Sequence, residues 1–332
     1  MSDTELPTAT WPLPGAARIA LTDQVIVRVA GAGTDKFLQG QFSQEIADAT
    51  EKFSPRAAAC SPKGRAYCLT RMVRESDDVL MALPESLAAE TIAHLRKYLM
   101  LFRGTSMEID TDAAVIGLLG ESAAGAMTGD PAARLPSPGD SLAIARGHLI
   151  RTMDTSEGLA RFEFWQTGEL CPDTAKALGA IQQETLATWQ ASEIAAGVPS
   201  LGPETRESYV PQMLNWQALG GVHFKKGCYT GQEVIARMHF LGQLKKSLFR
   251  FSCPAEAGPL APGMVLTRAG RSVGDIVNSV RLSDDTYQCL AVVRHDAADS
   301  QLVTENAPEM PLTRLALPYK VAEREQKAGT DT

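Results

Sequence analysis

The pattern of this 332-residue sequence changes at Gly242, and the change limits the folds that are open to it. Before Gly242, segments with strand-like alternation are followed by segments with helical spacing, and this order occurs twice. After Gly242, closely spaced strands separated by Gly and Pro are typical of a small β-barrel. The strands predicted there are residues 247–253, 264–267, 272–281, 287–294 and 312–318.

We therefore predict an α+β, multi-domain protein with two α+β units that contain antiparallel sheets, followed by a β-barrel. A chain of this length exceeds one ordinary compact domain. The polar termini, residues 1–16 and 322–332, are expected to be loose. The predicted units are residues 17–46 with 113–242 for the first, 47–112 for the second, and 243–321 for the barrel.

Residues 226–233, here called the signature segment, have the sequence Lys-Gly-Cys-Tyr-Thr-Gly-Gln-Glu and place Cys228 before a predicted helix. Thr230 and Glu233 have the T-x-x-E spacing of a capping box, which marks a helix start. Helix N-termini and nearby ammonium groups both favour a thiolate over a thiol. We therefore predict that Cys228 is a functional thiol. Lys226 is predicted to support the thiolate or to pair with a ligand carboxylate.

Three further residues around Cys228 are candidates for ligand contacts. Tyr229 either stacks on a planar ring or anchors the loop in the core, and the sequence leaves both open. Gln232 offers a donor and an acceptor to a heteroaromatic edge. Arg237 has the i, i+4 spacing for an ion pair with Glu233.

The signature segment followed by Arg237 resembles that of the YgfZ-type folate-binding iron–sulfur assembly proteins. Relatives of that family include the aminomethyltransferase of the glycine cleavage system. Weaker similarity to the family is found in residues 29–40, residues 196–199, Pro211 and Asn215.

The resemblance implies a ring-like arrangement of the three parts around a central cleft and a tetrahydrofolate-type ligand. It implies a role in the maturation or repair of iron–sulfur enzymes, with an indirect effect on tRNA modification. Cys228 would then act as a single ligand to a transient iron–sulfur cluster, or as a redox thiol. The implied partners are a reduced folate and iron–sulfur client enzymes or carrier proteins. Implied contributors to the folate site are Asp35, Arg56, Lys63 and Arg65, together with Tyr229, Gln232 and Arg237.

Two enzyme hypotheses stay open beside that of an accessory factor. A folate-dependent, aminomethyltransferase-like one-carbon enzyme needs a carboxylate to manage a proton, and the sequence does not identify one. A cysteine-nucleophile enzyme needs a base, and His223 is predicted to be structural because residues 222–224 alternate like a strand. A dinucleotide site is disfavoured, since the third glycine of G-x-G-x-x-G counted from Gly31 falls at Lys36.

Composition excludes several function classes. With 32 basic and 39 acidic residues the net charge is −7, which argues against a broad nucleic-acid surface and direct nucleic-acid binding. Residues 225–250 are locally basic and form either a solvated face or a pocket for an anionic ligand. No apolar run approaches the ~18 residues of a membrane helix, and no secretory signal is evident. Six cysteines without a C-x-x-C pair predict neither disulfides nor a self-contained metal site, so we expect a cytoplasmic protein.

Overall fold

The computed structural model describes residues 7–144 and 146–321. None of the α-helices in these residues is long and apolar enough to cross a bilayer. The longest helix starts at Glu85 and carries Arg96 and Lys97 in its last turn, so its charges suit the helix dipole. The described helices are α1 (Thr34–Gln41), α2 (Glu85–Leu99), α3 (Glu121–Thr128), α4 (Pro131–Arg134), α5 (Pro172–Ala180), α6 (Leu186–Ala195) and α7 (Gln232–Phe240).

The first sheet is antiparallel and has five strands. One face is covered by α3 and α5, which pack on Phe162 and Phe164. The opposite face presents Trp165 and Ile150 to the second sheet. In spatial order its strands are β2 (Ala17–Ala20), β8 (Ala114–Leu119), β11 (Arg161–Gln166), β10 (Gly147–Arg151) and β9 (Ser141–Ile144).

The second sheet is also antiparallel and five-stranded, and α1 and α2 cover it through a core that includes Phe37 and Leu95. Its strand β3 (Gln24–Ala30) comes from residues predicted for the first unit. Val27 and Val29 of that strand belong to the same core as α1 and α2, so sheet membership differs from the predicted boundary at residue 46. In spatial order the strands are β4 (Arg56–Cys60), β5 (Ala66–Glu75), β6 (Asp78–Pro84), β3 (Gln24–Ala30) and β7 (Ser106–Ile109).

The C-terminal strands form a closed six-stranded barrel, because the first long strand of the sheet also pairs with its last. The predicted α+β class, with antiparallel sheets and a small barrel, is confirmed. Residues 302–304 form a strand that the sequence did not predict, since three residues carry too little alternation to be recognised. Around the barrel the strands are β14 (Arg271–Leu282), β13 (Val265–Arg268), β16 (Leu302–Thr304), β17 (Ala307–Leu315), β12 (Lys246–Pro254) and β15 (Thr286–Arg294).

Residues 7–16 are tied to the body and are not loose as predicted. Strand β1 (Thr8–Ala9) pairs in parallel with β14, and Ala9 is fully buried. The Trp11 backbone N–H donates to the Ser283 hydroxyl at 2.9 Å. These contacts use backbone groups that the sequence pattern does not reveal. The predicted loose segments 1–6 and 322–332 lie outside the described residues.

One hydrophobic core joins the three parts of the molecule. It contains Leu69 of the second sheet, Ile194 of α6 and Leu248 of the barrel. Tyr229 and Ile235 of the signature region belong to the same core. The signature segment is therefore fixed at the place where the sheets and the barrel meet.

Candidate functional site

The signature segment starts as a loop that leads to Gly231, the N-cap of α7, and its last two residues form the first positions of that helix. Gly231 has φ of +86°, and a Cβ there would lie 2.6 Å from the Ser61 carbonyl oxygen. The opposing turn has a matching glycine, because a Cβ on Gly64 would lie 2.8 Å from Cβ of Val234. Two glycines thus let the loop and the turn of residues 61–64 pack backbone against backbone.

Gly231→Ala is therefore expected to lower the free energy of unfolding by about 2 kcal/mol, through positive φ and the clash with Ser61. Gly227 is the matched control, since an added Cβ there meets nothing closer than 4.0 Å and its φ is outside the left-handed region. Gly227→Ala should change stability by less than about 0.5 kcal/mol in urea unfolding. Equal effects of the two changes would contradict the packing described.

Lys226 is 6% exposed and points into the protein. Its Nζ donates to the carbonyl oxygens of Gln39 at 2.8 Å, Phe42 at 2.6 Å and Gln44 at 2.7 Å. An ammonium has three N–H donors, so none remains for a ligand carboxylate or a thiolate. The predicted pairing of Lys226 is therefore not formed. Burial lowers the pKa of Lys226 to about 8, with Glu45 acting in the opposite direction.

The three carbonyl groups lie at the end of α1, whose last turn leaves acceptors unsatisfied. A cation there is favourable with respect to the helix dipole. The same ammonium lies 4.9 Å from the centroid of the Tyr229 ring. Lys226 therefore attaches the signature segment to α1 and acts on the site by positioning it.

Tyr229 is buried in the shared core, which matches the anchoring alternative rather than the stacking one. Burial raises the pKa of its hydroxyl, and the nearby Cys60 adds to the effect. Gln232 is half-buried at the first position of α7, and Arg237 is exposed on the same helix. Neither side chain of these two α7 residues has an ion pair or hydrogen bond to the described residues.

The predicted capping box is not formed. The helix N-cap is Gly231 and no side chain caps it, so Thr230 lies one residue too early. Glu233 and Arg237 form no ion pair within the described residues. The interlock with the turn at residues 61–64 fixes the start of α7 in place of side-chain capping.

Cys228 is exposed in the loop, three residues before the N-cap. Its thiol has no hydrogen-bond or ion-pair partner among the described residues. The helix dipole acts within the first turn, and Cys228 lies outside that turn. Solvent access and a rigid loop are the features that favour this thiol as a functional group.

The other cysteines divide into buried and exposed ones. Cys60 and Cys68 are buried on neighbouring strands, and burial raises the pKa of the Cys68 thiol to about 12. Cys171 is the other exposed cysteine of the described residues, and its hydrogen bond with the Thr174 hydroxyl lowers its pKa. No group of three or more His, Cys, Asp or Glu side chains within residues 7–144 and 146–321 is arranged to hold a metal ion.

His223 does not lie in a strand, so the alternation of residues 222–224 was misleading. Its backbone N–H donates to the Ser43 carbonyl at 2.9 Å. Its Nδ1 is buried without a hydrogen-bond partner among the described residues. The neighbouring Phe224 ring stacks on His239, with 3.7 Å between centroids.

Two neighbouring cavities share Arg56 and Arg71 in their lining, and together we call them the inter-sheet cavity. One, here the tryptophan compartment, lies between the two sheets and measures about 80 Å³, and the other, here the Phe53 compartment, measures about 180 Å³. Arg56 and Arg71 line both compartments and separate them. Further residues of the tryptophan compartment include Trp165, Trp189, Trp216, Glu163 and Glu193.

The charges of this cavity are paired across the sheets. Arg71 donates from Nε to Glu163 at 3.2 Å, from one Nη to the Ser54 carbonyl at 2.7 Å, and from the other to Thr152 at 3.2 Å. Burial raises the pKa of the Glu163 carboxyl, but the Arg71 and Arg56 charges outweigh it and hold the pKa below its usual range. Glu163 also accepts a hydrogen bond from the Trp165 indole at 3.0 Å.

Arg161 is fully buried and pairs with Glu193 of α6. Its guanidinium lies 4.4 Å from the centroid of the Trp189 ring. The Arg161 Nε also donates to the Ser192 hydroxyl at 2.9 Å. The tryptophan compartment therefore has rigid walls of indole rings and carboxylates that hydrogen bonds hold in place.

Arg56 is held less firmly than Arg71. Within the described residues it makes one hydrogen bond, from Nη to the Thr152 hydroxyl at 2.8 Å, and its guanidinium lies 5.4 Å from the Trp216 ring centroid. Burial and the neighbouring Arg71 charge lower the pKa of Arg56 to about 10. A cation beside another cation, with few donors engaged, is suited to meet an anionic group.

The other residues implied for a folate site lie elsewhere. Asp35 pairs with Arg74 at 2.8 Å and is mostly exposed. Arg65 donates to the Ser208 carbonyl, and Lys63 is exposed in the turn of residues 61–64. None of these three lines the two described compartments, whereas Arg56 lines both.

Sequence reasoning missed most of the cavity residues. A signal was present in β11, because Arg161, Glu163 and Trp165 alternate and so share one face. Two charged residues on a face that also carries a tryptophan indicate a polar, partly buried surface. The tryptophans at 189 and 216 come from distant segments, and no spacing rule links them to β11.

Comparisons with known proteins agree with the resemblance. No protein-family model matches the chain. The tRNA-modifying protein YgfZ of Shigella dysenteriae serotype 1 is 29% identical over 322 residues, which cover 96% of this chain and 97% of that protein. The protein of the same name from Escherichia coli strain SE11 is 28% identical over equal shares. The predicted resemblance to YgfZ-type proteins is therefore confirmed.

Among solved structures, the glycine cleavage system aminomethyltransferase T of Bartonella henselae is similar with a TM-score of 0.70. The match covers 96% of this chain and 92% of that chain at 16% sequence identity. At that identity the likeness concerns the fold alone. It confirms the predicted fold relation to the aminomethyltransferase.

Proposed function

We propose that this chain, similar over nearly its whole length to the tRNA-modifying protein YgfZ, is a cytoplasmic, folate-binding accessory protein. It holds a reduced folate in the inter-sheet cavity and supports the maturation or repair of iron–sulfur enzymes through Cys228. Its effect on tRNA modification is then indirect and passes through client enzymes. The observation that carries the proposal is the inter-sheet cavity with its indole rings and paired charges.

The chemistry of the cavity suits a folate. Trp189 and Trp216 offer flat surfaces to a planar ring. Glu163 and Glu193 offer carboxylate oxygens that accept from the adjacent N–H groups of a pterin edge. Arg56 and Arg71 offer guanidinium groups for the carboxylates of a glutamate tail.

Arg56 is the side chain expected to move when ligand enters. It separates the two compartments and has one hydrogen bond to lose, whereas Arg71 has three. Movement of Arg56 towards the ligand would join the compartments and pair its charge. The binding free energy should therefore depend strongly on Arg56.

Titration of tetrahydrofolate by calorimetry tests this site. Arg56→Gln is expected to weaken binding at least about tenfold, about 1.4 kcal/mol, through loss of a charge-assisted contact. Arg65→Gln is the matched control outside the cavity and should bind like the wild type. Absence of saturable binding by the wild type, or equal weakening by both changes, would contradict the proposal.

The thiol has a separate role. Cys228 is exposed, and the described residues around it supply no set of additional metal ligands. An iron–sulfur cluster bound at this site would therefore have Cys228 as its one ligand from this chain, and a client or carrier protein would supply the remaining ligands. The alternative role of a redox thiol also needs an exposed sulfur.

A folate-dependent one-carbon transferase is the second candidate, and the fold likeness to aminomethyltransferase T favours it. Such chemistry needs a carboxylate that is free to accept a proton. In the cavity, Glu163 is paired with Arg71 and Glu193 with Arg161. This pairing favours binding over transfer. Measurable aminomethyl transfer to tetrahydrofolate by the purified protein would favour the transferase over the accessory protein.

A further inference from the structure

A groove of about 630 Å³ lies between the C-terminal turn of α2 and the edge strand β7. It shares no lining residue with the inter-sheet cavity. Three features of this groove point to the same kind of ligand. They are an open sheet edge, an exposed apolar surface and uncompensated positive charge.

Strand β7 is the last strand of the second sheet and pairs with β3 alone among the described strands. The Asp110 N–H donates to the Ile26 carbonyl at 2.9 Å, one residue beyond the strand. Hydrogen-bonded pairs alternate in an antiparallel ladder, so the N–H and C=O groups of Met107 and Ile109 point away from β3. Within the described residues these outward groups have no hydrogen-bond partner.

Large apolar side chains are exposed beside that edge. Met100 is 79% exposed, Leu101 80% and Ile109 45%. Met100 lines the groove together with Phe102. Clustered apolar surface next to an open strand edge is characteristic of a surface that binds another chain.

The residues that line the groove carry a net positive charge. Arg96, Lys97 and Arg103 line it and are exposed, and none of them has an ion-pair partner in the described residues. Glu108 is the one acidic residue of the lining. The helix dipole explains a preference for cations at Arg96 and Lys97, but Arg103 lies beyond the helix.

We propose that the groove and the β7 edge bind an extended segment of a partner protein that carries both apolar and acidic side chains. The segment adds as a strand beside β7 through the outward groups of Met107 and Ile109. Its apolar side chains contact Met100, and its carboxylates pair with Lys97 and Arg103. This site is independent of the folate cavity and of Cys228, so either proposal can fail without the other.

Fluorescence polarisation with two labelled hexapeptides tests this, one alternating valine with glutamate and one alternating valine with lysine. The wild type is expected to bind the glutamate peptide saturably and the lysine peptide at least about tenfold more weakly. The double variant Lys97→Glu with Arg103→Glu should reverse that order. Lys63→Glu, a charge reversal in the turn of residues 61–64, is the control and should leave the order of the two affinities unchanged.

Ile109→Pro separates strand addition from simple charge attraction. Proline removes the outward N–H of an edge residue and leaves the ladder with β3 intact. The change should weaken binding of the glutamate peptide at least about tenfold without lowering the melting temperature of the protein appreciably. Equal binding of both peptides, no binding, or unchanged binding by the Ile109→Pro protein would overturn the proposal. If the wild type binds neither peptide but forms a dimer, and Ile109→Pro abolishes that dimer, the β7 edge binds a second copy of this chain instead of a partner segment.

Discussion

Lys226→Met is expected to lower the free energy of unfolding by about 3 kcal/mol. The change removes a buried ammonium and leaves the carbonyl oxygens of Gln39, Phe42 and Gln44 without their donor. Unpartnered buried acceptors keep their full desolvation cost, so the loss exceeds that of an ordinary surface hydrogen bond. Urea unfolding followed by far-UV circular dichroism measures the change.

Lys225 provides the matched control, because it is the adjacent lysine and is exposed. Lys225→Met should change stability by less than about 0.5 kcal/mol. Proteolysis of the native Lys226→Met protein should also cut the signature segment faster, since the loop is no longer attached to α1. If both variants unfold like the wild type, Lys226 does not fix the segment.

Glu163→Gln is expected to destabilise the protein by about 3 kcal/mol, because it leaves Arg71 without its carboxylate in a buried ion pair. Glutamine has nearly the same shape and can still accept from the Trp165 indole. The loss of stability therefore measures the effect of the removed negative charge and not a change in packing. The same variant should bind tetrahydrofolate more weakly than the wild type.

The difference in stability between the wild type and Glu163→Gln should depend on pH with a defined sign. The pKa of Glu163 is lower in the folded protein than in the unfolded chain, so the ionised form favours folding. The stability advantage over Glu163→Gln is fully present above the unfolded value of about 4.3 and is lost as pH falls further. Glu169→Gln, at an exposed position nearby in sequence, should show little difference at any pH. A difference that grows on acidification would contradict the ion pair.

The sequence predicted the barrel where apolar runs are separated by turn residues. The strands of residues 247–253 and 287–294 were found in this way, and the structure buries both of their faces. Strand β3 was found, but its partners were not, because alternation shows a buried face and does not show which sheet the strand joins. The seven-residue strand pairs with β6 and β7, and only tertiary contacts decide that.

Prediction of the candidate site was less complete. Cys228 was identified and is exposed, whereas the roles suggested for Lys226 and Thr230 depended on local spacing. The structure uses distant groups there instead, namely the end of α1 for Lys226 and the turn at residues 61–64 for Gly231. A central cleft with Arg56 among its contributors was expected from the resemblance, but most residues that line the inter-sheet cavity were not identified, since they come from segments that lie far apart in the sequence.

The most direct test of the account is complementation with Cys228→Ser in cells that lack this protein, followed by assay of an iron–sulfur tRNA-modifying enzyme. Loss of that activity is expected, while the purified variant binds tetrahydrofolate like the wild type. Cys171→Ser, at the other exposed thiol of the described residues, should restore activity fully. Full activity with Cys228→Ser would contradict the central claim that the exposed sulfur and the folate cavity act together.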